Sequence, residues 1–267
     1  MIPVLLFGAA ALYTVASHSA INDLKEEIEE IQDESQQMID ETRELIDVTN
    51  ENLKGACSKA FEQRENIYKT TLKKATEITN KIKIKEENVV LCNERQEVVD
   101  KISSIKESTV AKSPNLIAGT AIGAVGAYLG ATADGVIVST IVGVKMTIKV
   151  DEAKEERARI RCECEDAKTQ CTKVRYTTNT INNSIEVIYR LNQMLEYSLI
   201  NAEKILNEKG ENINNWTIDE RNSIRSMFNL TSAVSEILST QMLTKGGNIS
   251  TKYKQIINET SKKLDIE

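Results

Sequence analysis

Aromatic side chains make up 4% of the chain, and 267 residues include only two prolines and eleven glycines. Sandwiches and barrels need many short strands closed by Gly/Pro-rich turns, so this scarcity argues against them. With charged residues at 28%, the balance is that of long helices, and an all-α fold is expected. The lone histidine, His18, lies in an apolar stretch beside Ser17 and Ser19, and nothing around it positions a nucleophile. No G-x-x-x-x-G-K-S/T occurs, so no phosphate loop is available. Five cysteines make an odd set without the framework of a small secreted scaffold, which points to a reducing compartment.

Cys162-Glu163-Cys164 with Cys171 has the composition of a metal site but the wrong spacing. Two residues apart on a helix, Cys162 and Cys164 point about 200° away from each other and cannot chelate one zinc. No catalytic, cofactor or metal site is expected, and the chain reads as non-enzymatic. The net charge of -6, without a basic stripe carrying interleaved aromatics, also speaks against nucleic acid. Acid is concentrated between Asp23 and Glu51, where twelve carboxylates face only Lys25 and Arg43.

Two stretches nearly lack charge. MIPVLLFGAAALYTVASHSAIN carries only His18, and residues 1–20 are a candidate anchor of the length of a short membrane span. Between Pro114 and Val144 the single charged side chain is Asp134. As one helix this run would extend about 46 Å, well over the roughly 30 Å of a bilayer's hydrocarbon. A hairpin over residues 113–150 is expected instead, with its tip at Asp134-Gly135 and lysines on both flanks. Gly119-x-x-x-Gly123 and Gly126-x-x-x-Gly130 form a glycine zipper that lets helix backbones approach closely, and Gly143 lies in the second arm. Burying the Asp134 carboxylate at a bilayer centre would cost on the order of 3 kcal/mol, which favours a tip in the far headgroup region. Its cover is either lipid or protein. The β-branched residues of Val136–Val138 and Val144–Val150 leave a small β-tongue as a local alternative.

Apolar periodicity frames this segment. In the first arm, residues 21–112, a heptad seam is read through Ile21, Leu24, Ile28, Ile31, Met38 and Leu45, interrupted by Ser35 and Thr42. It resumes from Ala75, and the arm is expected to stay helical to about Glu107. In the second arm, residues 151–209, Ile160, Cys164, Cys171, Val174, Ile181, Ile185, Ile188, Leu195, Leu199 and Leu206 follow steps of three, four or seven. This seam calls for a partner helix, from the first arm or another copy. Lys209-Gly210 marks a turn, and Thr217-Ile218-Asp219-Glu220 a capping box that opens C-terminal helices over residues 216–267. Gly246-Gly247 is expected to end the first of these, and a poorly anchored helix from Tyr253 to Leu264 to close the chain. No repeat of 20 to 50 residues is evident.

The order of segments resembles a group of uncharacterised bacterial coiled-coil proteins. The resemblance rests on the opening MIPVLLFGAAAL, the acidic coiled coil, the central GTAIGAVGAYLG, and a C-terminal part like TIDERNSIRSMFNLTSAVSEIL. It implies a non-catalytic, membrane-linked helical protein without an assigned active site. A long helical pair with an apolar hairpin is also similar in architecture to α-helical pore-forming toxins of the cytolysin A and haemolysin B type.

Together these features predict an elongated antiparallel coiled coil folded about Asp134, with Cys92 near the level of Cys171. The expected function is that of a membrane-associated coiled-coil protein, its arms cytoplasmic, which binds the lipid bilayer and forms a homo-oligomer as a structural or scaffold element. Two alternatives stay open: a pore-forming effector that inserts its hairpin, and a soluble cytoplasmic partner-binding module with the hairpin buried.

Overall fold

A computed structural model of the chain describes residues 4–84, 89–110, 144–244 and 248–264. The expected hairpin of Gly119, Gly123, Gly126, Gly130, Asp134, Gly135 and Gly143 lies outside the described residues, as does Gly246-Gly247. The fold is all-α. Among the described residues the helices are α1 (Val4–Ile67), α2 (Lys73–Lys81), α3 (Val89–Ser103), α4 (Glu107–Val110), α5 (Val144–Lys209), α6 (Ile218–Ser239) and α7 (Thr251–Lys263). A π-helical turn, Tyr68–Leu72, joins α1 to α2.

The chain divides into two units. One comprises Met1–Asn50 with Ile122–Lys173, the other Glu51–Ala121 with Val174–Glu267. In the first unit, α1 and α5 pair through Ile31, Ser35, Ile39, Thr42 and Ile46 on one side and Ile160, Cys164, Ala167 and Cys171 on the other, all buried. Small side chains predominate on the α5 side, which lets the helices approach closely. The buried hydroxyls of Ser35 and Thr42 are satisfied within their own helix, Ser35 donating to the Ile31 carbonyl and Thr42 to that of Met38, each at 2.7 Å.

The pairing is parallel. Lys154 meets Glu27 at 2.7 Å, Arg157 meets Glu34 at 2.6 Å, and the Cys164 thiol points to the Met38 carbonyl at 3.7 Å, so residue numbers rise together along both helices. The antiparallel return about Asp134 is therefore replaced by a side-by-side arrangement. A seam of apolar residues does not specify direction, whereas the charges at its margins do.

In α1 the buried seam is also offset from the expected one. From Ile39 it runs through Thr42, Ile46, Thr49, Leu53, Ala56 and Ala60 in alternating steps of three and four, a heptad spacing set one position beyond Met38 and Leu45. Ile39 and Ile46 consequently occupy the seam where Met38 and Leu45 were expected, and the latter two are half-buried beside it.

In the second unit the same parallel sense holds. Gln63 donates to the Ile185 carbonyl at 3.0 Å, Thr71 to Glu196 at 3.2 Å, and Lys74 pairs with Glu203 at 2.7 Å. Past the ends of α2 and α5, Lys83 and Asn212 form a parallel bridge, with the Lys83 N–H donating to the Glu211 carbonyl at 2.8 Å. The first arm thus leaves helical geometry at Ile82, whose ψ is 117°, and does not continue unbroken to Glu107. Gly210 makes the corresponding exit from α5 with a φ of 79°, a conformation in which a Cβ is disfavoured.

Both strands of chain then turn back. α3 lies against α2 through the Arg95 donation to the Thr79 carbonyl at 3.1 Å, and it packs chiefly on α6. Glu94 with Arg225 at 2.6 Å and Lys101 with Glu236 at 3.8 Å again keep one direction. The unit is therefore built from two long-helix-and-return hairpins set side by side. α6 begins at the expected capping box, the Thr217 N–H donating to Glu220 at 2.7 Å and the Glu220 N–H to Thr217 Oγ1 at 3.2 Å. It ends at Ser239, before the expected glycine pair. Residues 144–150 are helical, not a β-tongue, and Val150 is buried, so packing overrides the weak helix propensity of valine there.

Candidate functional site

The second-arm seam is placed as follows. Ile160, Cys164 and Cys171 are buried in the first unit, and Ile181, Ile188, Leu195 and Leu199 are buried in the second. Val174, Ile185 and Leu206 are half-buried and pack against the second unit's core. Cys92 lies on α3, in the second unit, and Cys171 in the first. The proximity expected of them presupposed an unbroken first arm folded back antiparallel, and neither condition holds.

The thiols differ sharply in environment. Cys57, Cys164 and Cys171 are buried, Cys92 is half-buried and Cys162 is exposed. Burial pushes the Cys57 thiol up to about 11, so it stays protonated and unreactive near neutrality. Among the described residues no group of three or more His, Cys, Asp or Glu side chains is disposed to hold a metal ion. A shallow depression of about 440 Å³ is lined by residues of α3, such as Asn93, Gln96 and Asp100, and by Ser104 just past its end, and offers no convergent chemistry.

Sequence reasoning passed over Arg64. It is a fully buried guanidinium at the end of α1. Its Nε donates to the Thr109 carbonyl at 3.1 Å, and Nη2 to the carbonyls of Leu238 at 2.8 Å and Thr240 at 3.0 Å. These acceptors lie at the ends of α4 and α6, where unpaired carbonyls carry the negative pole of each helix. The Tyr253 ring covers the cation with its centroid 5.5 Å away. Burial lowers the Arg64 pKa, and Tyr253 offsets part of that effect. One side chain thereby fastens α4, α6 and α7 to α1. The last helix is correspondingly better anchored than expected: Tyr253 is fully buried and Ile257 nearly so. Lys254 also sits over the Tyr176 ring, 4.9 Å from its centroid.

The first unit presents a contrasting surface. α1 exposes Glu30, Glu41 and Glu44 beside half-buried Met38 and Leu45, while Val48 is 47% exposed. Residues 38, 41, 45 and 48 share one helix face by their spacing. Across the groove α5 presents Lys154, Arg157, Arg161 and Lys168, also at single-face spacing. Lys154 and Arg157 reach over to Glu27 and Glu34, so both stripes border the same groove.

Among the described residues no helix is long and apolar enough to cross a membrane. The chain matches no protein-family model, no curated protein and no solved structure.

Proposed function

We propose that the protein is a non-enzymatic, membrane-associated coiled-coil protein that self-associates as a structural or scaffold element, with its attachment at one end of the first unit. The observation that supports this reading is the parallel register of α1 and α5. α5 starts at Val144, where the central apolar run ends, ten residues before Lys154. Since Lys154 pairs with Glu27, the first turn of α5 falls level with the last part of the apolar N-terminal stretch. Both apolar runs therefore meet the paired helices at the same end. A lipid bilayer is the partner whose chemistry fits two nearly uncharged runs so placed, and the acidic surface from Asp23 onward would stand off an anionic headgroup layer.

The pore-forming alternative draws on an apolar segment at the tip of an antiparallel pair, and parallel pairing favours the anchored reading over it. Flotation of the full chain with liposomes, together with dye release, is the test. Co-flotation without leakage is expected. Recovery of the protein in the detergent-free soluble fraction contradicts the membrane reading, and rapid dye release selects the pore former.

A further inference from the structure

We propose that the groove between α1 and α5 in the first unit is the self-association surface, and that it takes the same groove of a second copy in parallel orientation. The inference rests on the self-association in the preceding reading and names the surface that carries it. Met38 and Leu45 are only half covered by α5, and Val48 is 47% exposed, so an apolar strip runs along α1 beyond the intramolecular seam. Residues 38, 41, 45 and 48 lie on one helix face, so the strip is continuous over about three turns.

Charge identifies that partner. On the α1 margin, Glu41 and Glu44 are exposed, and the neighbouring cation of α1, Arg43, pairs with Asp40 on another side of the helix. On the α5 margin stand Arg161, exposed, and Lys168, half-buried and 3.3 Å from Glu165. The register set by the Glu34–Arg157 pair brings these four residues to about one level along the helices. A two-fold axis along the helices lays the acidic margin of each copy on the basic margin of the other, with Met38, Leu45 and Val48 enclosed between them. A two-fold axis across the helices would instead set acid against acid and base against base. The parallel dimer also brings the apolar ends of both copies to one side, as a shared membrane would require.

Sedimentation velocity of the full chain in mild non-ionic detergent tests this, with circular dichroism to confirm unchanged helicity. The wild type is expected to be dimeric. Glu41→Lys with Glu44→Lys, or Arg161→Glu with Lys168→Glu, is expected to weaken dimerisation at least tenfold, and all four together to restore it to within about threefold. A monomeric wild type, an undiminished dimer with either reversed pair, or failure of the combination to restore association overturns the proposal. Vesicle flotation of the same variants separates the two readings: it should be unchanged throughout, and its absence in the wild type bears on the membrane reading alone.

Discussion

Arg157 Nη1 lies 2.6 Å from Glu34 Oε2, a residue 123 positions earlier in the chain. With Lys154 on Glu27 it orients α5 along α1 rather than against it. Each exposed pair contributes little to stability by itself, on the order of 0.2 to 1 kcal/mol. Their consequence is directional: a register slip or a reversal would leave the α1 margin without its facing cations.

Arg64 should be the most sensitive single position of the second unit. Arg64→Met removes the donors to the carbonyls of Thr109, Leu238 and Thr240 and leaves them buried without a partner. A loss of about 3 to 5 kcal/mol is expected in urea unfolding. Arg64→Lys keeps the charge but loses the planar fork, and should recover only part of that. A loss under about 1 kcal/mol for Arg64→Met would contradict the anchoring role.

Thiol labelling of the native protein near pH 7.5 should be selective. Cys162, exposed on α5, is expected to react first and half-buried Cys92 more slowly. Cys57, whose thiol is held up to about 11 by burial, should stay protected until unfolding. Fast labelling of Cys57 in the native state would refute the packing around it.

Acid should weaken the second unit. Lys74 holds the Glu203 carboxyl below its ordinary 4.5, Lys83 does the same for Glu211, Lys101 for Glu97, and the Thr217 N–H for Glu220. Groups whose folded pKa is depressed stabilise fully above the unfolded value and lose that contribution as pH falls through the folded one. The urea midpoint is thus expected to be level above about pH 5 and to fall below about 4.5, less steeply in Lys74→Met. A midpoint that holds or rises from pH 5 to pH 3 would be incompatible with these pairs.

The helical class, the Thr217–Glu220 capping box and the turn at Gly210 were legible because each is written in local residue types. Direction was not, since apolar periodicity is the same for parallel and antiparallel partners. Glu27 and Glu34, which carry the direction, are two of twelve carboxylates between Asp23 and Glu51, and nothing local distinguishes them. The first-arm seam runs through Ile39 and Ile46 rather than their neighbours Met38 and Leu45, and the two pairs keep the same seven-residue spacing, so periodicity alone does not choose between them. Nothing in the sequence around Arg64 sets it apart from the chain's other cations. Its burial depends on carbonyls 45 to 176 residues away, which no local pattern announces.

The parallel pairing can be tested directly by zero-length carbodiimide cross-linking of the unmodified protein, with peptides identified by mass spectrometry. A mixture of isotopically light and heavy chains distinguishes links within a chain from links between chains. Intrachain links of Lys154 to Glu27 and of Lys83 to Glu211 are expected, both pairs standing within 2.8 Å. Absence of both, with Lys83 linked instead to Glu186 as a fold about Asp134 would require, would contradict the parallel arrangement.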